Sequence, residues 1–194
     1  MNILKTITSE KFIPMKSTTI LIVSLTLGIF YLLSYNQQEK ILQNTKKAVA
    51  EIRSKSGSAV KGKVTFEEFD GTVTMRAEIW GGTPGDHAIH IHAEGDCSAE
   101  DGSSAGGHWN PTGENHGRWN EAPFHRGDIG NIQVGKDGNG RISRTTDLWC
   151  VGCGDETKDV LGKAVIIHEG PDDFSSQPAG AAGPRIGCGE IIAD

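Results

Sequence analysis

The sequence predicts an all-β fold for most of the chain, arranged as an antiparallel sandwich or barrel. Apolar and polar residues alternate in several short runs, which is the period of a half-buried strand. Turn residues separate these runs at short intervals, and the 194 residues include 26 Gly and 7 Pro. Short strands at such regular spacing are typical of a sandwich or barrel.

Eight runs are predicted to be strands. The clearest is TVTMRAEIW, in which every second residue from Val73 to Ile79 is apolar. Asp70-Gly71 joins this strand to the preceding one, because Asp-Gly favours a tight hairpin turn. The predicted strands span residues 48–53, 62–68, 72–80, 86–93, 129–134, 141–145, 163–168 and 189–193.

The first 35 residues are predicted to lie outside this fold. Residues 20–33 are fourteen residues without a charge, and Lys16 precedes them. This length suits the apolar region of a signal peptide, and the flanking residues could extend it into a short membrane anchor. A cleaved signal peptide and a retained anchor therefore both remain open, as do Met1 and Met15 as the start.

Residues 36–47 are polar and are predicted to be a linker, which leaves residues 48–194 as the main domain. Either interpretation of the N-terminal segment places the main domain outside the cytoplasm, as a periplasmic or secreted protein. The whole chain has a net charge of −6, but residues 1–47 alone carry +4, which leaves −10 on the rest. A nucleic-acid partner is excluded, because phosphate binding needs a positive surface.

A cluster of histidines indicates a metal site. Six of the seven histidines lie between residues 87 and 128, and the seventh, His168, stands alone. Imidazole is the commonest metal ligand near neutral pH. The six are His87, His90, His92, His108, His116 and His125.

The spacing of these histidines suits metal binding. His90 and His92 are two residues apart in a predicted strand, so their side chains point to one face. The others follow in a long loop rich in Gly and Pro, which ends at Asp128. A loop this long in a compact domain is usually functional. Imidazole suits copper and zinc, and a mixed set of His and carboxylate favours zinc.

Over residues 48–194 the chain resembles the copper/zinc superoxide dismutases, particularly the bacterial members. The resemblance rests on motifs that occur in the family's order: HAIHIHAEGD with GGHWNP, then HRGD, then VIIHEGPDD with GAAGPRIGCG. It implies an eight-stranded Greek-key β-barrel with long metal-binding and active-site loops. It also implies an enzyme that converts two superoxide radicals and two protons to dioxygen and hydrogen peroxide.

The resemblance further implies the ligands of both metals. Copper would be held by His90, His92, His108 and His168. Zinc would be held by His108, His116, His125 and Asp128. His108 would bridge the metals as an imidazolate, and it would release a proton to the second superoxide. Asp172 would link a copper histidine to a zinc histidine.

Other residues receive roles from the same resemblance. Arg185 would stand over the copper and attract the superoxide anion. Cys97 and Cys188 would form the disulfide that fixes the ligand loop to the barrel. His87 would be structural and would not bind a metal. The sequence shows no clean apolar interface stripe, so monomer and homodimer remain alternatives.

Three features depart from the family pattern. Trp109 stands where Phe is more usual, and the larger ring is expected to be tolerated. Residues 174–184 contain no charge, so substrate guidance by this loop is in doubt, and Lys163 and Arg126 are weak substitutes. Cys150 and Cys153 are additional. A small local disulfide is the simpler interpretation of this pair, and a thiol pair that captures copper is the alternative.

Two rival functions compete with the enzyme. A copper-binding or copper-delivery module with the same fold would be expected to lack a ligand or the anion-binding Arg185. A β-sandwich that uses zinc only for stability would not need His90, His92 and His168 together. The sequence contains all of these residues, which favours the dismutase.

Overall fold

A computed structural model describes residues 27–39 and 45–194, in two compact units that divide after Gln43. In the first unit the described residues form a helix over 27–39, whose side chains are exposed. Half of the predicted apolar segment, residues 20–26, lies outside the described residues, so signal peptide and anchor both remain predictions. Within the described ranges, no helix combines the length and the apolar character needed to span a membrane.

The second unit is an antiparallel β-barrel. Its strands are β1 (Lys46–Ser54), β2 (Lys61–Phe69), β3 (Thr72–Trp80), β4 (Gly85–His92), β5 (Asp128–Val134), β6 (Gly140–Thr146), β7 (Ala164–His168), β8 (Arg185–Glu190) and β9 (Ile192–Ala193). Neighbouring strands follow the order β2-β3-β6-β5-β4-β7-β8-β1, and β1 pairs with β2 to close the barrel. The short β9 is an additional strand paired with β1. The predicted all-β, eight-stranded Greek-key fold is confirmed.

Six of the eight predicted strands agree with the structure to within one residue at each end. The first begins earlier, at Lys46, inside the predicted linker. Its first two residues pair with Glu68 and Glu67 of β2, and their ammonium groups form ion pairs with the same two carboxylates. Charged cross-strand pairs therefore extend a strand that an apolar pattern could not reveal.

The predicted last strand, 189–193, was wrong at its start, because β8 begins at Arg185. Gly187 and Gly189 interrupt the alternating pattern there. A Cβ on Gly187 would press into Ile52, and one on Gly189 would press into the backbone of Glu51. These glycines let β8 approach β1 closely, and their lack of side chains removes the signal by which a strand is recognised.

The barrel interior is apolar and supports one wall of the candidate site. Alternate residues of β4, Ile89 and Ile91, are fully buried in this core. Phe66 packs edge-to-face on Trp149 with ring centroids 6.0 Å apart. The remaining large side chains that are fully buried include Met75, Ile79, Ile129, Ile132, Ile166, Ile167 and Ile191.

Three long connections lie outside the strands. The histidine loop (residues 93–127) joins β4 to β5 and contains a short 3-10 helix, Ser103–Ala105. The cysteine loop (residues 147–163) joins β6 to β7, and the covering loop (residues 169–184) joins β7 to β8. The indole Nε1 of Trp149 donates to the carbonyl of Arg126 over 3.0 Å, so the cysteine loop supports the histidine loop.

Candidate metal centre

Strand β4 presents two histidines to the side opposite the core. Every residue from His87 to His92 is buried, although only one face of the strand can contact the barrel interior. The loops cover the other face, on which His90 and His92 lie. Because successive side chains of a strand point to opposite faces, Ile89 and Ile91 face the core, and His90 and His92 face the candidate site.

A set of four histidines meets at this face. His108 reaches it from the histidine loop, where it forms an isolated bridge with His92. His168 reaches it from the end of β7, which pairs with β4. One ring nitrogen from each of the four lies within 4.8 Å of the others. We call this the four-histidine set: His90, His92, His108 and His168.

Each histidine of this set has one buried nitrogen without a hydrogen-bond partner: Nδ1 of His90 and Nε2 of His92, His108 and His168. The opposite nitrogens are occupied. His92 Nδ1 donates to the carbonyl of Gly106 over 2.9 Å, and His168 Nδ1 donates to that of Gly183 over 3.1 Å. These bonds fix the tautomers and leave lone pairs that converge, which is the arrangement that metal coordination requires.

A second set shares His108. Its members are His108, His116, His125 and Asp128. The Nδ1 atoms of the three histidines lie 2.8, 3.0 and 3.2 Å from Oδ1 of Asp128. The Nδ1 of His116 has no hydrogen bond in spite of this proximity. Three imidazoles and one carboxylate around a common point form a donor set typical of zinc. We call it the carboxylate set.

His108 and Asp172 connect the two sets. The Nδ1 of His108 faces Asp128, while its Nε2 belongs to the four-histidine set. Asp172 is buried, and its two oxygens accept from different histidines: Oδ2 from His90 Nε2 over 2.8 Å and Oδ1 from His116 Nε2 over 2.9 Å. Asp172 therefore hydrogen-bonds to one histidine of each set.

Burial and charge act on these groups in opposite directions. Burial lowers the pKa of His92 well below its usual value, that of His108 to about 4 and that of His168 to about 3. For His116, burial is outweighed by the nearby carboxylates of Asp128 and Asp172, which raise its pKa to about 9. Burial also opposes ionisation of Asp128, but its histidine partners hold its pKa well below the usual range. The four-histidine set is therefore mostly neutral, and neutral imidazole is the form that binds metal.

Arg185 lies beside the four-histidine set at the start of β8. It pairs across the sheet with His168, and its charge helps to lower the pKa of His92 and of His168. Its guanidinium is half-buried and donates to the carbonyls of Gly102 and Gly106 over 2.6 and 2.7 Å. The histidine loop thus holds a fixed positive charge next to the histidines.

His87 does not belong to either set. Its Nδ1 lies 2.9 Å from the carbonyl oxygen of His168 and its Nε2 lies 2.8 Å from that of Thr83. Both ring nitrogens of His87 therefore contact groups outside the two sets, and neither is among the unpartnered buried nitrogens. Lys163 lies over the ring of the buried Trp109, 4.8 Å from its centroid, rather than at the histidines.

The four cysteines form two disulfides. Cys97 of the histidine loop is joined to Cys188 of β8, and Cys150 is joined to Cys153 within the cysteine loop. This is the pairing that the resemblance implies. The three-residue group of Cys150, Cys153 and Asp159 has metal-ligand spacing, but its sulfurs are bonded to each other. Asp159 accepts from the backbone N–H groups of Gly152 and Gly154.

Several supporting groups were missed by the sequence reasoning. The carbonyls of Gly106 and Gly183 orient two imidazoles, and no sequence signal marks a backbone acceptor. Asn131 holds Asp172 by its backbone: its Oδ1 accepts from Asp172 N over 2.7 Å and its Nδ2 donates to Asp172 O over 3.0 Å. Gln177 contacts the peptide groups of His116. Only its position in the covering loop could have indicated it.

The barrel and the paired donor sets define a class of protein: a Greek-key β-barrel with a two-metal centre outside its wall. Residues 60–191 match the family described as copper/zinc superoxide dismutase (SODC). The chain is 37% identical over 148 residues to Superoxide dismutase [Cu-Zn] 2 of Aquifex aeolicus (strain VF5), which covers 75% of this chain and 86% of that protein. The chain belongs to the copper/zinc superoxide dismutase family.

A solved structure supports the same fold. The crystal structure of the clock protein EA4 superposes with a TM-score of 0.67 at 32% identity, covering 76% of this chain and 94% of that one. The family's cofactors are copper and zinc, and both donor sets fit them. The converging unpartnered nitrogens of the four-histidine set suit copper, and the carboxylate set suits zinc.

Proposed function

We propose that the protein is a superoxide dismutase whose active site is the four-histidine set with Arg185. The observation that carries this proposal is the group of four buried nitrogens without hydrogen bonds, all within reach of one ion. Copper would be held by His90, His92, His108 and His168. Zinc would be held by His108, His116, His125 and Asp128, so that His108 serves both metals.

When bound, copper would supply two accessible oxidation states, so that one superoxide can be oxidised to dioxygen and the next reduced to peroxide. Zinc has no redox chemistry and would supply positive charge and hold its ligands in place. The remaining work falls to side chains. Arg185 attracts the superoxide anion by its charge, in a domain that is otherwise acidic. His108 would take up a proton from solvent at Nε2 in the first half-reaction and would give it to the second superoxide. The second of the two protons consumed would also come from solvent.

Asp172 supports both halves of the centre. By accepting from His90 Nε2 and His116 Nε2 it keeps the proton of each ring away from the metal-facing nitrogen. It also keeps the two rings in one fixed relation. A carboxylate behind a ligating imidazole makes that imidazole a better donor.

We place the protein outside the cytoplasm, in the periplasm or as a secreted protein. Its two disulfides favour an oxidising compartment. Membrane attachment through the N-terminal segment, a cleaved signal peptide and assembly into a homodimer remain parts of the proposal to be tested separately. N-terminal sequencing of the native protein distinguishes a cleaved signal from a retained anchor.

The first test is metal content and superoxide consumption of the full chain loaded with copper and zinc. One copper and one zinc per chain, with fast consumption that a copper chelator abolishes, would support the proposal. In His108→Ala the proposal requires loss of activity while zinc remains bound through the other ligands. Full activity of that variant would contradict the role of His108.

The alternative function, a copper-binding or copper-delivery module, predicts both metals without superoxide consumption. A free thiol pair at Cys150 and Cys153 would favour this alternative, and in this structure those sulfurs are bonded to each other. No ligand and no anion-binding side chain is missing among residues 45–194. The enzyme is therefore the better-supported function.

A further inference from the structure

Gln177 of the covering loop binds both peptide groups of one candidate zinc ligand. Its Oε1 accepts from the backbone N–H of His116 over 2.8 Å, and its Nε2 donates to the carbonyl of His116 over 2.9 Å. A third bond, from Nε2 to the carbonyl of Ser175 over 3.2 Å, holds the amide within its own loop. The amide thus imitates the pairing that a neighbouring strand would provide.

This contact matters because His116 has no secondary structure of its own. Residues 113–118 belong to neither helix nor strand, while the His116 side chain is fully buried. A backbone donor and acceptor in such a segment need partners from elsewhere in the fold. Gln177 supplies both.

The covering loop therefore holds His116 at two points. Asp172 accepts from Nε2 of its imidazole over 2.9 Å, and Gln177 binds its peptide groups. Gly180 lets the loop pass this close: it has a φ of +68°, and a Cβ there would overlap the Asp172 carboxylate and approach His116 Nε2 to 2.8 Å. Ring and backbone of one ligand are thus both fixed by a loop that contributes no ligand of its own to the carboxylate set.

We propose that Gln177 is a positioning residue for His116 and that it governs how tightly the carboxylate set retains zinc. The inference rests on the proposed assignment of His116 as a zinc ligand. It adds a connection that the resemblance does not assign, since Gln177 binds the backbone of that ligand rather than its imidazole. Loss of this clamp releases the peptide of His116, and the angle of the Nδ1 lone pair then varies.

The expected effect is measurable. Removing a group that supports a metal ligand commonly costs 10–100-fold in affinity. Gln177 makes neutral hydrogen bonds and is exposed to solvent, so a loss of about 10-fold is expected, at the lower end of that range.

The experiment measures zinc affinity of the full chain by competition with a chromophoric chelator. The variants are Gln177→Ala, which loses both bonds, and Gln177→Glu, which keeps an acceptor for the His116 N–H but loses the donor. Gln133→Ala, at an exposed glutamine of β5, is the matched control. Zinc affinity should fall about 10-fold in Gln177→Ala, less in Gln177→Glu, and not at all in the control.

Cobalt(II) in place of zinc supplies an independent readout. Its visible absorption reports ligand geometry, and we expect the bands to broaden or shift in Gln177→Ala but not in Gln133→Ala. Unchanged zinc affinity and an unchanged cobalt spectrum in Gln177→Ala would overturn the inference while leaving the proposed function intact. A wild-type chain that fails to bind zinc would overturn both. Equal losses in Gln177→Ala and Gln133→Ala would show a nonspecific effect and refute positioning.

Discussion

Breaking the Cys97–Cys188 disulfide should destabilise this protein much more than breaking Cys150–Cys153. The first bond closes a segment of 91 residues, and the second closes only 3. In the chain-entropy description, a disulfide stabilises by restricting the unfolded chain, and the effect grows with the logarithm of the segment length. The longer segment corresponds to about 4–5 kcal/mol and the shorter one to about 1.5 kcal/mol.

The assay is thermal unfolding of the metal-free protein, with Cys97→Ala/Cys188→Ala compared with Cys150→Ala/Cys153→Ala. For a domain of roughly 150 residues, each kcal/mol shifts Tm by about 2–4 °C. The first variant should therefore unfold about 10–20 °C below the wild type, and the second a few degrees below it. Each variant loses two sulfur atoms, so each serves as the control for the other.

The same disulfide should also affect activity. It fixes the histidine loop at Cys97, and the carbonyl of Gly106 in that loop accepts from both His92 and Arg185. Loosening the loop therefore disturbs a candidate copper ligand and the charge proposed to attract superoxide, so activity should fall even well below Tm. A stability loss no greater than that of Cys150→Ala/Cys153→Ala, with full activity, would refute this reasoning.

Three further predictions concern the site. Arg185→Ala should lower kcat/KM for superoxide by about 10-fold or more and weaken the salt dependence of kcat/KM, because the local positive charge is lost. The control is Arg141→Ala, at a well-exposed arginine of β6, which should change neither quantity. Equal effects of the two variants would contradict the role of Arg185 in attracting superoxide. Asp172→Asn should lower the affinity for zinc by about 10–100-fold in chelator competition, because the Nε2 of His116 loses its charged acceptor. Unchanged zinc affinity would contradict the link. Gly180→Ala should lower the free energy of unfolding by about 1–3 kcal/mol in denaturant titration, because residue 180 has a φ of +68° and a Cβ there would overlap Asp172. An unchanged free energy of unfolding would show that the covering loop can move away.

The fold was predictable because its signals are local. Alternation identifies a strand when one face packs on the core, and β3 from Val73 to Ile79 shows this pattern without interruption. Where the pattern fails, the strand ends were wrong or shifted. Lys46 and Lys47 belong to β1 because they pair with charged residues of β2. Strand β8 begins at Arg185, but its glycines have no side chains and so interrupt the alternation of apolar and polar residues.

The candidate metal ligands were predictable for a different reason. Histidine has few roles in a Gly-rich loop, so a cluster of histidines along the chain already indicates a metal site. The order of the motifs then carried the resemblance that assigns each histidine to copper or to zinc. The groups that hold the ligands were not predictable. Asn131 and Gln177 act on backbone atoms of Asp172 and His116, and such contacts depend on how distant loops pack rather than on residue spacing.

Together these contacts make the covering loop a second link between the two donor sets, beside His108 of the histidine loop. It provides Asp172 between His90 and His116, Gln177 on the peptide of His116, and the carbonyl of Gly183 to the imidazole of His168. Every one of these bonds reaches a residue outside the covering loop, on β4, on β7 or in the histidine loop, so the order of the covering loop depends on those elements. We therefore expect the metal-free protein to exchange amide hydrogens of the covering loop faster than those of β4, and zinc to slow that exchange. Equal protection of the two segments without metal would show that the loop is fixed independently of the site.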